Sequence, residues 1–335
     1  MPYSGIIINM NTKFSRSILI VLALLAISGF AHARGANEQA INSLAIYAIK
    51  GPSGVSMIRM FEYPPQIRGY EVKLEALAQA DLMAARFISG DAKVGILPAN
   101  VAAKIASSGK NIQIAAITGT GMLSLLTSDP AVQSLADLRG KTVEVAGQGA
   151  TPDYVFRRLL LSGGINPEKD VTLSYALAYP EIAQSLIAGR VSTALLPEPF
   201  ATMARSGKND LRQIGDIQDE WIKAGGQGNY PMTVLAVDGD FAAYNPAAIN
   251  AILESLKASI EWTVSNPAAA GVLVEKHDLG LRAPVISAAI PRSNYVFIPA
   301  DQARPQIEAL FKVFLEFSPA SIGGSLPGDS FYYKP

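Results

Sequence analysis

Short apolar runs alternate with amphipathic stretches from Leu44 onward, and this alternation is the feature that most constrains the fold. The apolar runs have the length of buried strands, and the amphipathic stretches have the residue spacing of surface helices. A strand, a loop and a helix follow one another in two series, one from Leu44 to about Ile117 and one from Thr142 to about Ala204. The pattern predicts two α/β lobes with mixed, mainly parallel sheets.

The length of the chain also favours two lobes, because a single core usually stops growing below the 335 residues present here. Two extended stretches, Met122 to Ser128 and Met232 to Asp238, lie between and after the two series, and we expect them to run side by side as a two-stranded hinge. The predicted first lobe is discontinuous (34–128 plus 235–335), and the second lobe is 129–234. Ligands of open α/β sheets bind beyond the carboxyl ends of the strands, so a cleft is expected between the lobes.

Residues 1–33 have the organisation of a secretory signal peptide. Lys13 and Arg16 precede an apolar run from Ile18 to Ile27, and the small-residue site Ala31-His32-Ala33 follows. The apolar run is too short to span a bilayer comfortably, and no cysteine is present to carry a lipid anchor. The sequence therefore predicts a periplasmic protein that is cleaved after Ala33 and is not a lipoprotein.

The composition excludes several classes of function. The chain carries 28 basic and 28 acidic side chains, whereas proteins that neutralise nucleic-acid phosphates have a clear basic excess. The absence of cysteine excludes disulfide scaffolds, thiolate nucleophiles and iron–sulfur clusters. Removal of residues 1–33 would leave His277 as the only histidine. We therefore expect no nucleic-acid partner, no metal site, no cofactor and no catalytic residue.

Two loops have the composition of anion-binding helix starts. Lys50 to Gly54 and Gly147 to Thr151 both combine glycine with a hydroxyl residue directly before a predicted helix. Free N–H groups and the positive end of a helix dipole suit a carboxylate, sulfonate, phosphate or nitrate, although each loop alone could be an ordinary cap. In the second loop, Thr151 is the expected N-cap and Pro152 the expected first helical residue.

Two polar residues follow matching strand ends. Asn100 comes after the apolar run that starts at Gly95, and Glu198 comes after the run that starts at Leu195. Such side chains at the rim of a cleft would fix the orientation of a ligand, and Glu198 would suit an amine or a ring N–H; the alternative for Glu198 is a solvated turn residue. Four tyrosines beside these loops are candidates either for stacking on a flat ligand or for packing: Tyr47, Tyr154, Tyr179 and Tyr230.

Six segments, in this order along the chain, carry a family likeness: Gly51-Pro52-Ser53-Gly54, Gly95-Ile96-Leu97-Pro98, Asp137 to Val143, Ile187 to Val191, Leu196 to Phe200 and Ser318 to Phe331. Through these segments the chain resembles the periplasmic solute-binding proteins of nitrate-, sulfonate- and taurine-type ABC importers. That group also includes relatives of the thiamine-pyrimidine synthesis proteins. The likeness covers almost the whole chain after residue 33.

The resemblance implies a type II periplasmic binding protein fold, in which two lobes close over a small-molecule ligand and present it to an ABC transporter permease in the inner membrane. It also implies a monomer without a cofactor. The ligand shell that the resemblance implies is Ser53, Gly54, Asn100, Thr118, Gly149, Ala150, Thr151 and Glu198. The enzymatic activity of the pyrimidine-synthesis branch is not implied, because its cysteine-rich motif is missing here.

The main hypothesis is therefore a solute-binding protein for a small polar, anionic or heteroaromatic solute of the sulfonate, nitrate or pyrimidine class. One alternative is an exported enzyme that uses Glu198 as a general acid or base, but no second group with a separated pKa stands at motif spacing. The other alternative is a sensor subunit that binds the same solute and docks on a membrane receptor. The sequence favours a binder over an enzyme.

Overall fold

A computed structural model describes residues 1–3, 5 and 42–334 of the chain. The predicted signal peptide lies almost wholly outside these residues. From Ser43 onward the chain forms one compact unit, and the following description concerns this unit. In the part of the chain described, none of the helices combines the length and the apolar character that a membrane crossing requires.

The described residues form eleven strands: β1 Asn42–Ile49, β2 Tyr70–Leu77, β3 Val94–Leu97, β4 Ile112–Thr120, β5 Leu123–Thr127, β6 Thr142–Val145, β7 Thr172–Ser174, β8 Thr193–Pro197, β9 Arg212–Gln213, β10 Pro231–Asp238 and β11 Tyr295–Pro299. The central strands are almost continuously apolar and buried, as expected where helices cover both faces of a sheet.

The α-helices of the same residues number thirteen: α1 Pro52–Ser56, α2 Ile58–Glu62, α3 Ala80–Ser89, α4 Ala99–Ser107, α5 Thr151–Ser162, α6 Tyr179–Ile187, α7 Phe200–Gly207, α8 Ile217–Lys223, α9 Gly239–Tyr244, α10 Pro246–Ser265, α11 Pro267–Lys276, α12 Ala283–Ala289 and α13 Ala300–Phe317. Short 3₁₀ helices occupy Leu135–Leu138, Ile290–Arg292, Pro319–Ile322 and Asp329–Phe331.

The strands are arranged in two mixed sheets, which confirms the predicted α/β architecture. The expectation that parallel pairs predominate is wrong, because β5, β10 and β11 are antiparallel to their neighbours. The first sheet has the order β11-β4-β10-β3-β1-β2, and the second has the order β7-β6-β8-β5-β9. Strand β10 is antiparallel to both β3 and β4, and β1 is parallel to β3, so β1, β3 and β4 share a direction. Strands β6, β7 and β8 are parallel in the second sheet. Each sheet therefore has one edge at which three carboxyl ends meet.

The predicted pairing of Met122 to Ser128 with Met232 to Asp238 is wrong. Strand β5 pairs with β8 and β9 in the second sheet, whereas β10 pairs with β3 and β4 in the first. Both stretches are buried apolar strands, and each completes the core of a different sheet. The lobe boundaries at 128 and 235 stay a prediction, although β5 belongs to the second sheet by its hydrogen bonds.

The chain passes between the sheets through two short connections. Gly121 and Met122 alone separate β4 from β5, and the return runs from Ala224 into β10. Tyr230 joins the two connections, because its carbonyl accepts the Gly121 N–H at 3.0 Å and its hydroxyl accepts the Leu123 N–H at 3.2 Å. These hydrogen bonds place the end of β4 and the beginning of β5 beside the beginning of β10.

Helix α13 anchors the start of the second sheet's first long helix, α5. The Tyr154 ring packs edge-on against Phe314 with centroids 4.7 Å apart and stacks on Phe317 with centroids 5.7 Å apart. Aromatic pairs of this geometry contribute about 0.5–1.5 kcal/mol beyond their buried area. The packing therefore fixes the position of the loop that precedes α5.

Candidate functional site

The carboxyl edges of the two sheets face each other beside the short connections. The Glu198 N–H, which follows β8, donates to the Met122 carbonyl at 2.8 Å. A Cβ placed on Gly51, which follows β1, would lie 3.8 Å from the ring of Phe200 at the start of α7. Loops from both sheets therefore meet here, where ligands of open α/β sheets bind.

Three of the predicted site residues on the first sheet are already engaged within the protein. The Ser53 hydroxyl donates to the Ile49 carbonyl at 2.7 Å and accepts the Ile49 N–H at 2.9 Å. Thr118 lies within β4 and its hydroxyl is bonded to that of Thr233 at 2.9 Å. Gly54 is buried, and a Cβ there would lie 3.0 Å from a methyl group of Leu279. The hydroxyl groups of Ser53 and Thr118 are therefore not free for a ligand, and the three residues define the shape of this edge of the sheet.

Asn100 differs from these three because its side-chain oxygen is buried without a partner. It is the second residue of α4, directly beyond the carboxyl end of β3, and only 8% of it is exposed. Its Oδ1 atom has no hydrogen-bond partner. A buried amide oxygen in this state loses its hydrogen bonds to water without replacement, which costs about 1–3 kcal/mol.

Thr151 is the corresponding residue beyond β6. The predicted N-cap role of Thr151 is wrong, because Ala150 already has the extended conformation of an N-cap and Thr151 is the first residue of α5. Its hydroxyl caps nothing; the residue is 2% exposed and its Oγ1 atom has no partner. Each sheet thus places one buried, unpaired oxygen at the start of a helix that follows a strand end.

The remaining predicted residues of the second sheet are Gly149, Ala150 and Glu198. The Gly149 N–H donates to Asp153 Oδ2 at 2.8 Å, and Ala150 is half-buried between them in sequence. Glu198 is 1% exposed and is therefore no solvated turn residue. Its carboxylate accepts from the Arg205 guanidinium and, at 3.0 Å, from the Thr202 N–H.

The sequence interpretation missed the cluster that holds the loop before α5. Asp153 Oδ1 accepts from Arg157 Nε and from the Tyr175 hydroxyl, each at 2.6 Å, and Arg157 also pairs with Glu168. Burial, followed by the Asp153 carboxylate, raises the pKa of Tyr175, so its phenol remains a donor at neutral pH. The four-residue spacing of Asp153 and Arg157 within α5 could have indicated this ion pair.

A crevice of about 380 Å³ opens beside this cluster, and its lining includes Gln148, Gly149, Asp153, Tyr154, Arg157, Glu168 and Phe317. The crevice is bordered by both α5 and the end of α13. It lies next to the loop from Gly147 to Thr151.

Aromatic side chains line the junction of the two edges. The Tyr179 and Phe200 rings are stacked with centroids 5.6 Å apart, and burial raises the pKa of Tyr179 to about 12. Tyr295, at the start of β11, is buried, and burial raises its pKa while Glu198 adds to the shift. The other three candidate tyrosines have packing or bonding partners within the protein: Tyr47 with Arg86, Tyr154 with Phe314, and Tyr230 with Leu123.

Comparisons with known proteins identify a shared family and fold. The model of a family described as the NMT1-like family matches residues 75–275, more than half of the chain. A nitrate/nitrite binding protein, NrtA, from Nostoc sp. is 24% identical over 169 residues, which cover 50% of this chain and 37% of that protein. The match thus spans little more than a third of the length of this relative.

Solved structures match over most of the chain. An ABC transporter structure from Parabacteroides distasonis has a TM-score of 0.73 at 24% identity and covers 88% of this chain and 99% of its own. The periplasmic aliphatic sulphonate binding protein SsuA of Escherichia coli has a TM-score of 0.69 at 16% identity, covering 88% and 92%. These similarities show the type II periplasmic binding protein fold, and two of the named proteins, NrtA and SsuA, are binding proteins by name.

Proposed function

Because the chain belongs to the NMT1-like family, we propose that it is the extracytoplasmic solute-binding component of an ABC importer. The observation that carries the proposal is the pair of buried, unpaired oxygens, Asn100 Oδ1 and Thr151 Oγ1. They stand at helix starts beyond strand ends of the two sheets. Buried polar atoms normally have hydrogen-bond partners. Six other buried side-chain atoms of the described residues also lack one, but these two stand at helix starts beyond the strand ends, where a ligand of this fold would supply their partners.

The proposed ligand is a small polar, anionic or heteroaromatic solute, of the sulfonate, nitrate or pyrimidine class. It would contact Asn100 from the first sheet and Thr151 from the second, with the stacked ring of Phe200 beside it. The proposed shell also keeps Ser53, Gly54, Thr118, Gly149, Ala150 and Glu198. Because the polar side chains of Ser53, Thr118 and Glu198 are bonded within the protein, we propose that these residues form the wall of the site.

Closure of the lobes over the solute follows from the same contacts. A ligand that touches both sheets binds the closed arrangement better than the open one and shifts the population towards it. We place the moving segments at Gly121–Met122 and at the return connection after Ala224, since these are the two points at which the chain changes sheets. The closed, loaded monomer would then deliver its solute to a permease from the periplasm.

Thermal-shift screening combined with small-angle scattering tests this function. The panel contains nitrate, alkyl and aryl sulfonates, aromatic carboxylates and pyrimidines. At least one solute should raise the melting temperature and reduce the radius of gyration together. Asn100→Leu should abolish both responses, whereas Asn250→Leu, the same change at an exposed position of α10, should keep them. Absence of stabilisation and of compaction with every solute would refute the proposed function.

A further inference from the structure

We infer that Asp153 makes the site select uncharged solutes and reject anions, an inference that rests on the proposed function. The Asp153 carboxylate occupies the N-terminal end of helix α5, a place that would otherwise attract an anion. Asp153 is the third residue of the twelve-residue helix α5 and is 2% exposed. The buried, unpaired hydroxyl of Thr151 lies two residues before it on the same turn.

The first step concerns hydrogen-bond donors. A loop before a helix binds an anion through backbone N–H groups that are still free. Here the Gly149 N–H donates to Asp153 Oδ2 at 2.8 Å. An anion that used this N–H would have to displace the carboxylate, and an anion held by the other N–H groups of the helix start would lie next to the same carboxylate.

The second step concerns charge. Asp153 and Glu168 supply two carboxylates to the cluster, and Arg157 supplies one guanidinium. The cluster therefore carries a net charge of −1 at neutral pH. Because Asp153 is buried, its field is screened less by solvent than that of a surface carboxylate. The helix dipole at α5 is thus opposed by the protein's own charge.

The third step concerns basic side chains that could attract an anion in spite of this carboxylate. Lys50, in the loop of the first sheet, pairs with Asp278 at 2.8 Å. Arg205, behind β8, pairs with Glu198. Among the described loops that follow β1, β3, β6 and β8, no basic side chain is left without a carboxylate partner.

What remains for a ligand is uncharged. At the starts of α4 and α5, Asn100 Oδ1 and Thr151 Oγ1 are buried atoms that lack a partner, and the stacked Tyr179 and Phe200 rings lie nearby as an apolar surface. An amide both donates and accepts, and so does a hydroxyl. The chemistry fits a neutral, planar solute with a carbonyl or amide group.

Pairs of probes matched in size but not in charge test the inference. Isothermal titration at neutral pH would compare benzenesulfonamide with benzenesulfonate and nicotinamide with nicotinate, with nitrate as a small anion. The wild-type protein should bind the neutral member of a pair at least about tenfold more tightly, which equals about 1.4 kcal/mol. Asp153→Asn keeps the size of the side chain and should raise the affinity for the anionic member by about tenfold.

Two further variants make the test specific. Glu168→Gln removes the same unit of charge from the exposed side of the cluster and should also raise anion affinity, by a smaller factor, even if Asp153→Asn folds poorly. Asp210→Asn removes an exposed charge outside this cluster and should change neither affinity. Wild-type binding of the anion as tightly as its neutral counterpart would overturn the inference and leave the proposed function standing. If no probe bound to the wild type or to any variant, both the inference and the proposed function would be refuted.

Discussion

Replacement of Thr151 by valine should stabilise the unliganded protein and weaken ligand binding at once. Valine has the shape of threonine without the hydroxyl, and the Thr151 hydroxyl is buried with no partner. Such a hydroxyl has lost its hydrogen bonds to water and forms none within the protein, so its removal eliminates a desolvation cost. Opposite signs for stability and affinity are typical of a residue retained for function.

The expected size follows from the state of this one oxygen. Burial of an unpaired hydroxyl costs about 1–3 kcal/mol in protein mutational data, and relaxation of the neighbours recovers part of that. We therefore expect the free energy of unfolding to rise by about 1 kcal/mol, which raises the melting temperature by roughly 2 °C for a domain of this size. Loss of one neutral hydrogen bond to the ligand should weaken affinity about fivefold.

Thr127→Val is the matched control, because it is the same chemical change at another buried threonine. The Thr127 hydroxyl donates to the Ser192 carbonyl at 3.1 Å and accepts the Asp129 N–H at 3.0 Å. Its removal leaves buried partners unsatisfied and should lower the free energy of unfolding by about 1–3 kcal/mol. Urea denaturation of both variants, with and without the best solute of the panel, gives the two quantities. If Thr151→Val destabilises the unliganded protein as much as Thr127→Val does, the reasoning is refuted.

Three further variants test other parts of the structure. Arg205→Met leaves the buried Glu198 carboxylate without its charged partner, so urea denaturation should show a loss of about 3 kcal/mol; a loss close to zero would contradict the pairing. Gly121→Ala places a side chain at φ 50° in the connection between the sheets and should cost about 1–2 kcal/mol in the same assay. Lys276 lowers the pKa of Glu62, so the stabilisation by this pair is present at neutral pH and is lost as pH falls through the lowered pKa. The melting temperature of Glu62→Gln should therefore lie below that of the wild type at neutral pH and converge with it in acid, and a constant gap would contradict the linkage.

The positions of the two unpaired oxygens could be predicted from the sequence because local chemistry determines them. Pro98 before Asn100 and the glycines before Thr151 mark the points at which strands end and helices begin, and these signals act over a few residues. The partners of β5 could not be predicted in this way. Its apolar run indicates a buried strand but does not contain the long-range register that decides which sheet it joins.

The hydrogen-bond partners of Glu198 and Gly149 could also not be predicted from the sequence, for a related reason. The sequence motif places Glu198 directly after a strand. Only the structure shows that its carboxylate pairs with Arg205, which lies in the following helix, α7. Likewise, the glycine-rich loop predicts free N–H groups, and the structure shows that Asp153 takes the Gly149 N–H. In both cases a group expected to face a ligand is satisfied by a side chain of the next helix.

The same scaffold can therefore carry opposite preferences for charge. Strand ends that meet helix starts provide N–H groups in any protein with this fold, and those groups favour an anion by default. A carboxylate at the third position of α5 fills that place without altering a strand, a helix or a connection, since Asp153 is held by residues of its own lobe: Gly149, Arg157 and Tyr175. Fold similarity to a nitrate or sulphonate binder thus leaves the charge of the solute undetermined, and the side chains of this first helical turn decide it.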